Sequence, residues 1–439
     1  MLPSLPRASS PRPTRQRSRA ALTRWGLAAA LLLGGASASP ATTLFQAASQ
    51  ALLQGYYGWS QADRPALVAQ YRQTLDAACA PVQEACSFDQ GRKVIAEMLG
   101  KLNDPHTNIR DADGAERLRE IQQDLTVPRS GLQVIKTGLG LLVVGVLPGS
   151  PGAAVGVQRF DLLTEVNGEQ AGTDKAVDAA GFVRRERQAA PLLLQLTRAG
   201  QALPPLMLTP QPMKASDVPT LSWQQGPAGR VAVIQYPTFL SSNSAALFLS
   251  TLHDAQAQGA VGLVIDLRYN GGGRLDQCVQ AASAFRPVVY QAHWSNTNWE
   301  YAALDGDSSS AAAARQAPGE EGLWHGPAVL LVGPNTASCA EVFGYFAHLS
   351  GALVVGEPTK GVMNSGVSFF PLPDQGVMSV TILRAYDAAG QPLPPRLQPD
   401  VSAPTDVAAL TSTGQDSALS AALQTVERQP FGAGGLTGK

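Results

Sequence analysis

Apolar residues recur at helical spacing through three early stretches, Leu44 to Tyr57, Pro65 to Ala78 and Gly91 to Leu102. That spacing gives each helix one face to bury, and it predicts a mainly helical region over 41–125. The loop KLNDPHTNIR follows the last of these helices. From 126 to 212 the period changes to short β-rich runs, broken by a Pro-Gly-Ser-Pro turn and ending at Asn167-Gly168, a tight-turn signal. From about Gly229 to Pro404 the pattern changes again. VAVIQYPTF, VGLVIDLRY, AVLLVG, ALVVGEP and VMSVTILRAY read as strands, with helical stretches such as Ser244 to Gln258 and Glu341 to Ser350 between them. Strands this apolar are buried on both faces of a parallel sheet, so 213–404 reads as an α/β core. The polar stretch from Gln291 to Gly322 reads as an insertion or flexible loop. In the remainder, 405–439, a helix from Asp416 to Arg428 would pack on the core. Asp266 and Arg268, at i and i+2, point to one side of their strand and can pair.

Two strand-to-turn units carry the candidate chemistry. Val329 to Val332 is a short apolar strand, broken by Gly333-Pro334-Asn335. A helix then starts near Ser338, with Glu341 in its first turn, where a carboxylate suits the positive helix end. Ser338 therefore sits at a strand-to-helix turn, where backbone N–H groups can hold an oxyanion. Taken by itself, the segment fits a serine N-cap better. The second unit is the strand Val261 to Leu267, followed by Gly271, Gly272 and Gly273 and then a helical stretch. Glycines let backbone N–H groups approach a ligand with no Cβ in the way. A phosphate cradle has the same need, but G-x-G-x-x-G and a Walker lysine are absent, which leaves nucleotide chemistry unsupported.

DLRYNGGG (Asp266 to Gly273), TASCAE (Thr336 to Glu341) and GEPTKG (Gly356 to Gly361), in that order, resemble the tail-specific, or C-terminal processing, serine peptidases and their tricorn-type relatives. The resemblance implies an α/β multidomain protein with an N-terminal helical region, a PDZ-like β-rich domain and an α/β (crotonase-like) peptidase core. It implies that Ser338 is the nucleophile of a serine endopeptidase acting on polypeptides, with no cofactor. It also implies an oxyanion hole built from the Cys339 N–H and a glycine of the NGGG turn. Gly272 is preferred because the middle of the run turns its N–H inward with unrestricted φ; Gly271 is the alternative. The segment 126–212 resembles a PDZ domain through its PGSP turn, short helix and the strand ending in Asn167-Gly168. Where that family has Pro-Gly-Asp, this chain has Arg159-Phe160-Asp161, so an exposed Phe160 would meet a ligand or a neighbouring domain. PDZ grooves bind extended peptide ends by adding a strand to a sheet edge; the other reading of this segment is a spacer.

A serine nucleophile needs a base. In the lysine-using branch the base directly follows the glycine of the GEPT-x-G element. Here Val362 follows Gly361, and Lys360 precedes it. A one-residue shift turns a side chain to the opposite side of an extended segment, which makes Lys360 the weaker alternative. The tricorn-like branch uses a histidine in a D-G-H-T-like loop before the PDZ domain, and Asp104-Pro105-His106-Thr107 matches it. His106 is the only one of the five histidines inside a family motif. That branch places a glutamate before the late Pro-Asp, but PLPPRLQPDV has no acid before Asp400. A neutral partner, or an acid from elsewhere such as Asp104 or Glu357, would have to orient the imidazole. This gap supports the second function class, an inactive homologue that binds peptides through its PDZ-like domain.

Composition adds compartment and rules out some partners. The chain has 439 residues, of which only 15% are charged, a balance suited to a globular enzyme and not to a disordered chain. Residues 1–38 carry six arginines and no acid, then an apolar run from Trp25 to Gly35 and the small residues Ala36-Ser37-Ala38. This reads as a secretory signal peptide, too short to span a bilayer, and predicts an exported, periplasmic, cell-envelope or secreted protein. Its removal takes Lys plus Arg from 33 to 27 against 34 acids, a net −7, which gives nucleic acid nothing to bind. Cys79 and Cys86 are spaced for a local disulfide in an oxidising compartment. Cys278 and Cys339 each follow one of the two turns; neighbouring parallel strands would bring them together, but sequence does not fix the pairing. Neither the four cysteines nor the five histidines show metal-ligand spacing.

Overall fold

The computed structural model describes residues 38–317 and 322–429; the arginine-rich segment read as a signal peptide lies outside the described residues. The three expected N-terminal helices form at Pro40–Gly55, Arg64–Cys79 and Phe88–Gly100. Each begins on a side-chain oxygen, from Ser39, Asp63 or Ser87, that accepts a backbone N–H of the first turn. Leu44, Leu52, Leu75, Ile95 and Met98 close over Met378 and Val380 of the strand Val377–Tyr386. A disulfide between Cys79 and Cys86 ties the end of the second helix to the approach of the third. The chain then enters a short strand, Asn108–Arg110, not foreseen from the sequence. It pairs antiparallel with Val377–Tyr386, Asn108 opposite Ser379. That pairing anchors the loop carrying His106.

The β-rich region is a seven-stranded antiparallel sheet between Leu132 and Leu208. Its core holds Leu141, Val143, Leu163, Leu194 and Leu196, closed by Phe182 of the helix Ala179–Arg187. Thr126–Arg129 pairs with Gln211–Lys214, so the chain enters and leaves this unit along one two-stranded stalk. Phe160, expected to be exposed, is half-buried with φ 73° and packs with Leu142, Val144 and Tyr269. The departure at Arg159-Phe160 thus makes a contact with the α/β core.

The core sheet has six strands in the order Thr220–Gly226, Gly229–Gln235, Gly262–Asp266, Ala328–Val332, Leu353–Gly356 and Val401–Ser402. The first pair is antiparallel and the others are parallel. One face packs against Phe248, Phe343 and Tyr236, the other against Ala418, Ala422 and Val426 of the C-terminal helix Ser417–Arg428. Gly262–Asp266 and Ala328–Val332 are neighbours, Ile265 opposite Leu330. The glycine turn and the Ser338 turn therefore leave the carboxyl ends of adjacent parallel strands, where open α/β sheets place ligands.

The stretch read as a flexible insertion is largely ordered. Val288–His293 and Asn298–Leu304 form an antiparallel hairpin, joined at Gln291 opposite Tyr386 to a second sheet in which Val377–Tyr386 also pairs with Asn108–Arg110 and Ser365–Pro371, and a helix follows at Ala311–Gln316. Val288–Tyr290 are buried, while Asn298, Trp299 and Glu300 are exposed, and the polar residues among these positions mask the strands in the sequence. Among the described residues no helix is long and apolar enough to cross a membrane.

Candidate active site

Ser338 is the N-cap of the helix Cys339–Leu349, with φ 54° and ψ −120°. A side chain held at positive φ costs on the order of 1–3 kcal/mol, so the surroundings must hold this turn in place. Glu341 is the main brace. Its buried carboxylate accepts the Ser338 N–H at 2.8 Å, the Thr359 hydroxyl at 2.6 Å, the Gly361 N–H at 2.8 Å and the Val362 N–H at 3.1 Å. One acid therefore joins the serine turn to the GEPTKG loop. Burial raises its pKa, and these four donors oppose the rise.

The Ser338 Oγ lies 3.0 Å from His106 Nε2, across 232 residues of sequence. The opposite ring nitrogen, Nδ1, lies 2.9 Å from Ser365 Oγ, at the start of the strand Ser365–Pro371. The His106 loop is pinned around the ring. Asp104 Oδ1 accepts the His106 N–H at 3.0 Å, and the Ser379 hydroxyl donates to the His106 carbonyl at 2.9 Å. Neither acid weighed as an orienting group touches the imidazole. Asp104 braces its own loop, and Glu357 accepts the Thr405 N–H at 3.2 Å. Ser365 was missed in the sequence, where nothing sets it apart from the other serines. Burial pulls the His106 imidazole down to about 4; Asp104 favours the charged form and Arg110 opposes it. Near neutral pH the ring is uncharged, as a base must be. A cavity of about 360 Å³ is lined by Trp59, Asp104, Gly361, Asn364 and Ser365.

The glycine turn closes on the serine turn. Asn270 links them: its carbonyl accepts the Ala337 N–H at 3.0 Å, and its side chain donates to the Tyr236 carbonyl at 2.8 Å. The Asn270 Oδ1 also takes the Gly272 N–H at 2.9 Å. The donor preferred from the sequence is therefore already engaged, because the asparagine two residues earlier folds back onto it. The Gly271 and Cys339 N–H groups have no acceptor among the described residues. Gly272 matters sterically instead. At φ 92°, a Cβ there would lie 2.8 Å from Ser338 Cβ and 2.9 Å from Cys339 N. Lys360 is exposed, and its backbone N–H bonds the Thr336 carbonyl at 2.9 Å; the His106 ring, not this lysine, meets the serine.

Two further links converge here. A disulfide joins Cys278, in the helix Leu275–Ala282 after the glycine turn, to Cys339 beside Ser338. Asp266, at the end of its strand, accepts from Arg268 Nε at 3.0 Å and from Arg159 of the β-rich unit at 2.6 Å. Arg268 also reaches Asp416, the N-cap of the C-terminal helix, at 2.7 Å. Burial alone would raise the Asp266 pKa, but Arg268 and Arg159 together hold it well below the usual carboxylate range.

Residues 230–403 match the sequence profile of Peptidase family S41. The chain is 28% identical over 301 residues to a carboxyl-terminal-processing protease of Synechocystis sp. (strain ATCC 27184 / PCC 6803 / Kazusa), covering 66% of this chain and 65% of that protein. It is 24% identical over 307 residues to the carboxy-terminal processing protease CtpA of Bacillus subtilis (strain 168), covering 68% of this chain and 60% of the relative. The chain thus spans less than two thirds of the length of either relative. In fold it is similar to a putative S41 protease from Bacteroides fragilis NCTC 9343, with a TM-score of 0.53, 16% identity, and coverage of 87% of this chain and 96% of the other.

Proposed function

We propose that this chain, whose α/β core belongs to peptidase family S41, is an exported serine endopeptidase with Ser338 as nucleophile and His106 as base. The observation that carries the reading is His106 held between two hydroxyls, Nε2 3.0 Å from Ser338 and Nδ1 2.9 Å from Ser365. The Nδ1–H donates to Ser365 Oγ, which leaves Nε2 free to take a proton. Ser338 Oγ attacks the scissile carbonyl as its proton passes to Nε2. The oxyanion is received by the Cys339 and Gly271 N–H groups. His106 returns the proton to the leaving amine, and water, activated by the same ring, hydrolyses the acyl-enzyme. A hydroxyl orients the ring but carries no charge to stabilise the imidazolium, so this triad is weaker than one ending in a carboxylate.

Polypeptides are the substrates, and the β-rich unit acts as a PDZ-like module beside the core. Export is supported by the arginine-rich N-terminal sequence and by two disulfides among the four cysteines. A role limited to peptide binding would leave the Ser338–His106 pair and the two unengaged N–H groups without a use. The test is labelling with a fluorophosphonate probe together with cleavage of an unfolded protein. Wild type should label and cleave, and Ser338→Ala should do neither while keeping its thermal unfolding temperature. Undiminished cleavage by Ser338→Ala would remove Ser338 from the mechanism.

A further inference from the structure

The β-rich unit contains a buried charge that the cleavage reaction does not use. Glu186, in the last turn of the helix Ala179–Arg187, is 4% exposed, and Ser130 is fully buried. The Ser130 N–H donates to Glu186 Oε1 at 2.7 Å, and the Ser130 hydroxyl donates to the same oxygen. That hydroxyl accepts the Leu132 N–H at 3.1 Å. Burial raises the Glu186 pKa, while Ser130 and the guanidiniums of Arg129 and Arg117 favour the charged form. A buried carboxylate costs several kcal/mol in desolvation unless donors meet it; here the Ser130 N–H and hydroxyl donate to it directly, and the charges of Arg129 and Arg117 act on it from beyond ion-pair distance.

The position of this cluster gives it meaning. Ser130 to Leu132 lead into the strand Leu132–Lys136, which pairs on one edge with Leu141–Val146. Among the described residues no strand pairs with its other edge, and the helix Ala179–Arg187 lies against this strand. A peptide added antiparallel along that edge would bring its carboxyl end to the start of the strand. A terminal carboxylate arriving there would seek backbone N–H groups and positive charge. The Ser130 and Leu132 N–H groups are the donors in place, and both are already taken: Glu186 holds the Ser130 N–H, and the Ser130 hydroxyl that donates to Glu186 takes the Leu132 N–H, while Arg129 is paired with Asp217 and Arg117 with Glu120.

We propose that Glu186 is a built-in ligand in the place where the PDZ-like module would take a substrate's terminal carboxylate, so that the protein engages internal segments without reading a free chain end. The proposal deepens the peptidase reading and rests on it for its consequence in cleavage.

Binding is measured by fluorescence anisotropy on the full chain carrying Ser338→Ala. The probe is one labelled peptide ending either in a free carboxylate or in an amide. The two forms should bind within about twofold of one another, and Glu186→Ala should confer a preference of roughly tenfold for the free acid. Glu186→Asp, one methylene shorter, draws the carboxylate back from Ser130; it should show the same preference in smaller measure if the alanine variant does not fold. A tenfold preference for the acid with Glu186 in place, or no gain in a folded variant, overturns the proposal. Because this chain cannot cleave, the result stands apart from the peptidase reading, which fails separately if wild type cleaves neither peptide form nor an unfolded protein.

Discussion

Ser338 shows how one residue's backbone can serve its chemistry. At φ 54° it presents its hydroxyl to His106, while its N–H is held by Glu341. Beside it, Gly272 works by having no side chain. Gly272→Ala should lower kcat by a hundredfold or more, because the new Cβ fills the space against Cys339 N as well as straining the turn; the loss of one oxyanion donor alone costs about 3 kcal/mol. Gly271→Ala meets nothing within 4 Å and should retain most of the activity, which makes it the matched control in steady-state kinetics. Near-normal kcat in a stable Gly272→Ala variant would show that the space is not used. His106 sets the acid limb. Its pKa is lowered to about 4, so kcat/KM should rise with pH through about 4 and be flat near neutrality. The same shift bears on stability. The unfolded chain takes up this proton near the ordinary value of about 6.5, the folded one only near 4, so stability is lost as pH falls between the two. A pH–rate profile with its acid limb near 6.5 would contradict this burial. Ser338, His106 and the unengaged Cys339 N–H were legible because motifs mark them. Ser365 was not, since it meets His106 across 259 residues of sequence and only the register of the strand Val377–Tyr386 brings them together.

At the scale of elements, the sequence told strands from helices best where burial is complete on both faces. Gly262–Asp266 and Ala328–Val332 are buried at every position, and a continuous apolar run has few other readings. The hairpin Val288–Leu304 was lost because its outward positions carry Gln291, His293, Asn298 and Glu300, whose polarity resembles a loop. Arg159-Phe160 was legible as a departure that would meet a ligand or a neighbouring domain, but not which of the two, because its partner Asp266 lies 107 residues away. In the folded protein the Asp266 carboxylate joins three elements one turn before the glycine run. Arg159 brings the β-rich unit, Arg268 the sheet and, through Asp416, the C-terminal helix. Removing one member of a buried ionic set leaves the others uncompensated, at about 3–5 kcal/mol. The β-rich unit is thus fixed to the strand that ends at the glycine turn.

At the scale of the whole molecule, four regions distant in sequence assemble one site. The helical region supplies His106, the core supplies Ser338, the second sheet supplies Ser365, and the β-rich unit leans on the glycine-turn strand. Sequence order placed these regions but not their meeting points, which depend on pairings such as Asn108 with Ser379. The Cys278–Cys339 bond spans 61 residues and ends on the residue whose N–H is a proposed oxyanion donor. It ties the helix that follows the glycine turn to the residue after Ser338, so the bond links the two turns that carry the Gly271 and Cys339 N–H groups. On the proposed reading, this bond is a point at which reduction should lower activity. A molecule treated with dithiothreitol should lose kcat while remaining folded, and Cys278→Ser, which leaves the Cys79–Cys86 bond intact, should show that lowered kcat without the reagent. Equal kcat before and after treatment, with the bond shown to be open, would contradict this. A molecule whose thiols have not yet paired should then be the less active form, with full activity expected only after the bond beside Ser338 has closed.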